Sequence, residues 1–101
     1  NRISFGEWQF VPEQYCLKHE SGDRVELTRN EYLLMESFTA NQNITLKKDY
    51  LRDCLSKDNY KPSPRAIDIT VTRLRKKLKQ TDKQYIQTIH GVGYLFSQAE
   101  Q

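Results

Sequence analysis

Between Pro64 and Lys79 the chain concentrates the residue types that bind polyanions. Read as a helix, this stretch carries Ile67, Val71, Leu74 and Leu78 at i, i+4, i+7 and i+11, one narrow apolar stripe. The opposite face holds Arg65, Ile69, Thr72, Arg73 and Lys76, with Arg75 and Lys79 on its flanks. One side of such a rod docks on a core; the other is a cationic surface with a single aliphatic residue in its middle. That layout suits the major groove of DNA, where cations meet phosphate and an aliphatic side chain meets a thymine methyl.

A Lys/Arg-rich helix face is more often plain solvated surface, and cations near a helix C-terminus also suit the macrodipole. Ile69 does not fit that plainer account. Opposite the buried stripe it gives nothing to the core and lowers solubility, whereas contact with a thymine methyl gives it a use.

The 101 residues suffice for one domain, residues 1–101, with one modest core. A net charge of +3 does not by itself imply a polyanionic partner, but its distribution does. Residues 1–46 are close to neutral or slightly acidic, while the segment from Lys47 to Lys83 gathers the cations, as expected of one nucleic-acid-facing side. Cys16 and Cys54 lack CxxC spacing, so reduced thiols in a cytoplasm are expected. No apolar run is long enough to span a bilayer, and no membrane partner is expected.

The elements that must hold the basic helix follow from local patterns. Ile3–Phe5, Trp8–Val11, Tyr15–Leu17 and Arg24–Leu27 alternate and are separated by turn residues, which predicts a small antiparallel sheet over residues 1–27. Thr28 and Glu31 form a capping box for a first helix that buries Tyr32, Leu34 or Met35, and Phe38. After a brief extended piece at Ile44–Leu46, a second helix runs from about Lys48 to Leu55, with Tyr50, Leu51, Cys54 and Leu55 as its apolar side. Ser63 as N-cap and Pro64 at the first helical position open the third helix, which continues to about Lys79. A break at Gln80-Thr81-Asp82 leads into a hairpin over residues 85–96, turned by His90-Gly91-Val92-Gly93. Strands first, then three helices over 28–79, then a hairpin: this is an α+β winged helix-turn-helix.

Two separated motifs carry a resemblance that covers nearly the whole chain. Arg65-x-Ile67-Asp68-x-x-Val71-x-Arg73-Leu74-Arg75-Lys76-Lys77-Leu78 is followed by Ile86-x-Thr88-Ile89-His90-Gly91-Val92-Gly93-Tyr94-x-Phe96. Together they resemble the DNA-binding output domain of OmpR/PhoB-type two-component response regulators, as does Val25-Glu26-Leu27-Thr28-x-x-Glu31-Tyr32-x-Leu34 upstream. The resemblance implies a third helix reading the major groove of promoter DNA, a hairpin wing near the minor groove, and a bacterial cytoplasmic location. It implies base-facing roles for Asp68, Ile69 and Arg73, with Arg73 forking onto a guanine edge. It implies phosphate contacts from Lys48, Arg65, Thr70, Thr72, Arg75, Lys76 and Thr88, which position the domain without specifying the site. The loop at Lys57, Asp58, Asn59, Tyr60 and Lys61 would face RNA polymerase. An N-terminal receiver domain in the full-length protein would control head-to-tail dimers on direct repeats, the isolated domain being monomeric. Two positions depart from the family pattern. His90 stands where the wing commonly carries arginine, which makes minor-groove insertion pH-dependent. Ser56 stands where a tryptophan often follows the second helix, which takes away the usual anchor of the polymerase-facing loop.

Enzymatic and cofactor readings find little support in these residues. His19 and His90 lie apart from any Cys/His/Asp cluster of metal spacing, and Gly91-x-Gly93 suits a tight turn rather than a phosphate loop. No catalytic pair is recognisable, and no cofactor is expected. The aromatic residues sit at core periods, which disfavours single-strand RNA binding by base stacking. A winged-helix interaction module without DNA binding is the remaining alternative; Arg73, Arg75 and Lys76 argue against it.

Overall fold

A computed structural model describes residues 2–80 and 85–98 of the protein. The break expected at Gln80-Thr81-Asp82 lies, beyond Gln80, outside these residues. The chain opens as a four-stranded meander, β1 (Ile3–Phe5), β2 (Trp8–Val11), β3 (Cys16–His19) and β4 (Arg24–Glu26), each strand antiparallel to the next. The alternation seen in the sequence sets its register: Phe10 faces Leu17 across β2 and β3, and Phe5, Trp8, Phe10 and Leu17 are all buried. Gly6 turns the first hairpin at φ +57°, where an added Cβ would also fall 2.3 Å from the Tyr85 hydroxyl.

The capping box is formed. Thr28 Oγ1 accepts from the Glu31 amide at 3.2 Å, and Glu31 Oε1 accepts from the Thr28 amide at 2.9 Å. It starts α1 (Arg29–Ala40), which buries both Leu34 and Met35 together with Phe38. Strand β5 (Thr45–Lys47) leads directly into α2 (Lys48–Leu55), which buries Leu51 and Leu55. Tyr50, expected on that buried side, is exposed instead; an eight-residue helix has room for only a narrow inward stripe.

Helix α3 (Pro64–Lys77) packs against α1 and α2, and its stripe of Ile67, Val71, Leu74 and the following Leu78 is buried in the same core. It stops two residues earlier than the charge pattern suggests. The Gln80 amide donates to Arg75 O at 3.0 Å and the Lys79 amide to Lys76 O at 3.0 Å, with Lys79 left-handed at φ 53°. This is a Schellman ending in which lysine occupies the position that favours glycine. Lys79→Gly is therefore expected to raise unfolding free energy by about 0.5–1 kcal/mol in a urea titration, since it relieves the left-handed strain. Lys79 gives up only a 3.7 Å exposed pair with Asp23, whose contribution is small.

Strands β6 (Ile86–Ile89) and β7 (Gly93–Phe96) make the expected hairpin, but the brief extended piece at residues 44–46 is no isolated segment. Strand β5 pairs with β7, so the wing belongs to a three-stranded sheet in the order β5-β7-β6. Gly93 lies in β7 rather than in the turn, which Gly91 makes at φ +78°. Phe96, edge-on to Phe5 at 5.1 Å and stacked on Phe38 at 6.1 Å, joins this sheet to the meander and to α1. Among the described residues no helix is long and apolar enough to cross a membrane.

Candidate nucleic-acid interface

Ser63 Oγ accepts from the Ala66 amide at 3.2 Å and Pro64 takes the first helical position, so α3 begins at a fixed point and with a fixed phase. With Ile67, Val71 and Leu74 fully buried, the opposite arc must face outward. Arg65, Ile69, Thr72, Arg73 and Lys76 are all exposed there, and with Asp68 they line one shallow depression. Ile69 is 41% exposed, so the core does not account for it. Among the described residues, the side chains of Arg65, Arg73 and Lys76 make no hydrogen bond or ion pair. Three exposed cations around one aliphatic side chain, of which Arg65 also acts on the Asp68 carboxylate through its charge, form a surface fitted to a polyanion with methyl groups in its groove.

Other residues expected on this face are committed to neighbours. Lys48 Nζ lies 3.0 Å from Asp68 Oδ1 and 3.1 Å from Oδ2, and the Tyr94 hydroxyl donates to Oδ1 at 2.5 Å. Burial alone would raise the Asp68 carboxyl, but the hydrogen bonds from Tyr94 and Lys48 outweigh it and hold the group below its ordinary range. The Tyr94 phenol is pushed up to about 12 by burial and by that same carboxylate. Arg75 donates to Ile86 O at 3.1 and 2.9 Å and to Thr88 Oγ1 at 2.8 Å, and its guanidinium sits 5.6 Å from the centre of the Tyr94 ring. Arg75 is thus a brace between α3 and the wing. Thr70 is buried at the edge of a depression that Arg29, Asn30 and Arg73 also line, and its hydroxyl donates to Ala66 O at 2.9 Å. Thr72 also back-bonds, to Asp68 O at 2.9 Å, but from the exposed side.

The wing tip presents His90 and Val92, both exposed, beside the amino end of α2, where the Lys48 amide donates to Val92 O at 3.4 Å. The loop over Lys57–Lys61 is closed on itself by paired amides between Lys57 and Tyr60, with Asp58 left-handed at φ 56° and Tyr60 exposed. With Ser56 where the resemblance would put an aromatic, the loop is tied down by other side chains. Arg52 Nε donates to Pro62 O at 2.7 Å, Lys61 pairs with Asp53 at 2.8 Å, and Arg29 donates to Leu55 O at 3.2 Å. His19 has a local role at the other end of the molecule, edge-on to Trp8 and bonded to Glu7 and Ser21.

Sequence reasoning missed Tyr94 as a member of this site because its place in an alternating strand reads as core. The one available signal was a hydroxyl on an inward-facing position, since a buried phenol needs a polar partner.

A family model described as "Transcriptional regulatory protein, C terminal" matches residues 22–96. The chain is 39% identical over 97 residues to the transcriptional regulatory protein AruR of Pseudomonas aeruginosa, a match covering 94% of this chain and 40% of that protein. It spans less than half the length of the curated relatives it matches. Among solved structures it is similar to the response regulator DrrB of Thermotoga maritima, described as an OmpR/PhoB homolog, with a TM-score of 0.82 at 26% identity over 95% of this chain and 44% of that one. It is also similar to the DNA-binding domain of Klebsiella pneumoniae RstA in complex with the RstA box, with a TM-score of 0.80 at 26% identity, covering 96% and 97% of the two chains.

Proposed function

The chain belongs to the family of transcriptional regulatory protein C-terminal domains, the DNA-binding output domains of OmpR/PhoB response regulators, and we propose that it binds promoter DNA with α3 in the major groove. Ile69 contacts a thymine methyl and Arg73 forks onto a guanine edge, with Asp68 beside them. Arg65, Thr72 and Lys76 take phosphates that set the register, and Lys48 adds its charge at the amino end of α2. Arg75 and Thr88 set the angle of the wing, whose His90 and Val92 approach the adjacent minor groove. Two copies lie head-to-tail on direct repeats under the control of a receiver domain in the full-length protein. The closed loop over residues 57–61 faces RNA polymerase.

One observation carries this reading: Ile69 and Arg73 stand exposed and uncommitted on the helix face opposite a fully buried stripe. The test begins with selection of duplexes from a random-core library by this domain. On the enriched duplex, Arg73→Ala is expected to weaken binding by about 1–3 kcal/mol, roughly 5- to 150-fold, and to relax preference at a single base position. Equal weakening on enriched and scrambled duplexes would reduce Arg73 to a phosphate contact.

A further inference from the structure

One polar contact beside the exposed face of α3 joins three elements at one carboxylate. Asp68 comes from α3, Lys48 from the first residue of α2, and Tyr94 from β7, the central strand of the wing sheet. Tyr94 is only 5% exposed and is flanked by Leu46 on one side and Thr88 on the other, with the Arg75 guanidinium near its ring. Its hydroxyl is therefore fixed by the sheet. A carboxylate on a helix otherwise turns freely about its terminal torsion, which is broad and roughly two-fold. Here Oδ1 accepts from the phenol and Oδ2 from the ammonium, whose nitrogen also lies 3.0 Å from Oδ1. The carboxylate keeps acceptor capacity to spare and lines one depression with exposed Ile69.

We propose that Tyr94 is a positioning residue for sequence readout: with Lys48 it holds the Asp68 carboxylate in one orientation, so that the surface favours a base bearing an amino donor in the major groove. This inference rests on the reading of α3 as the groove helix. The electrostatics set the sign of the effect. Phosphate repels a carboxylate at any orientation, so Asp68 subtracts from binding to every sequence. Only a fixed carboxylate recovers that loss selectively, on cytosine N4 or adenine N6. Lys48, engaged by both oxygens, offsets the charge locally without reaching across the groove.

The substitution Tyr94→Phe removes the donor and leaves no buried group without a partner, because Asp68 keeps Lys48 and the ring stays in the core. The intact domain and its variants are titrated against the duplex enriched by the wild-type domain and against a scrambled duplex of the same composition, over a salt series. For Tyr94→Phe the expected result is a fall of about tenfold in the ratio of the two affinities. Asp68→Asn is expected to lose the same ratio, and adding Tyr94→Phe to it to change nothing further, since both act through one contact. Repeating the selection with Tyr94→Phe should weaken the preference for an amino-bearing base at one position only. An unaltered ratio, an equal loss on both duplexes, or additive losses in the double variant would each overturn the proposal. Should Tyr94→Phe lose its cooperative melt, the Asp68→Asn selection decides alone: retention of the amino-bearing base would overturn the proposal. A wild-type domain that does not prefer the enriched duplex defeats the groove reading itself. A selective wild type with an equally selective Tyr94→Phe defeats only the role of Tyr94.

Discussion

Lys77→Met is expected to remove about 3–5 kcal/mol of unfolding free energy, because it strands a buried carboxylate. Glu31 is 1% exposed, yet it sits in the first turn of α1 as half of a capping box. Its Oε1 accepts from the Thr28 amide and, at 2.5 Å, from Lys77 Nζ, which also donates to Glu26 O at 2.9 Å. One ammonium thus joins the end of α3 to the start of α1 and to the last strand of the meander. Methionine keeps the aliphatic stem and deletes the charge. For a domain whose whole stability is about 5–15 kcal/mol, that is a large share. Urea unfolding at neutral pH measures it, and Glu31→Gln in the same background supplies the control. The neutral amide still accepts from Thr28 and needs no cation, so the double variant should recover most of the loss. A Lys77→Met protein within 0.5 kcal/mol of wild type would show that water reaches Glu31.

That pairing illustrates what the sequence discloses and what it withholds. The stripe of α3, the capping box and the Ser63-Pro64 entry are local patterns with fixed spacing, and the structure reproduces them. The cations of α3 look alike in sequence but divide in space. Arg65, Arg73 and Lys76 make no side-chain hydrogen bond or ion pair among the described residues, while Arg75 braces the wing and Lys77 reaches a residue 46 positions away. Nothing in a periodic pattern distinguishes the two groups, because their partners lie on other elements. The same limit hides the pairing of β5: three residues carry too little alternation to declare a strand, and its partner lies beyond both remaining helices. Tyr50 fails for the opposite reason, since an apolar residue in a short helix need not find a core.

The division also narrows the binding face. A count of cations between Pro64 and Lys79 gives a broad electropositive side, whereas the geometry leaves a strip of three around Ile69, bounded by the Asp68–Lys48 pair and the Arg75 brace. Fewer phosphate contacts mean a shallower salt dependence and leave a larger share of affinity to base contacts. Committed cations are not wasted in such a design. Arg75 fixes the angle between helix and wing, on which the proposed approach of both to one duplex depends.

That angle depends on one close approach, and Gly93→Ala is expected to destroy it. A Cβ at Gly93 would lie 2.0 Å from Leu46 O and 3.0 Å from both Leu46 C and Lys47 Cα. All three atoms are backbone, so no side chain can swing aside. Gly93 pairs with Lys47 on one side and Ile89 on the other, and relief requires β5 to leave the sheet. Overpacking of this kind is expected to lower unfolding free energy by about 3 kcal/mol or more. Gly91 supplies the contrast. It turns the hairpin at φ +78° with nothing within 4 Å of an added Cβ, so Gly91→Ala meets only the left-handed penalty, about 1–2 kcal/mol. Thermal melts of the two variants side by side test the distinction, and DNA titration extends it. Gly93→Ala should weaken binding at temperatures where it is still folded, because β5 runs directly into α2 and its displacement moves Lys48. Equal melting losses for the two variants would mean that β5 and β7 are not held at the observed separation.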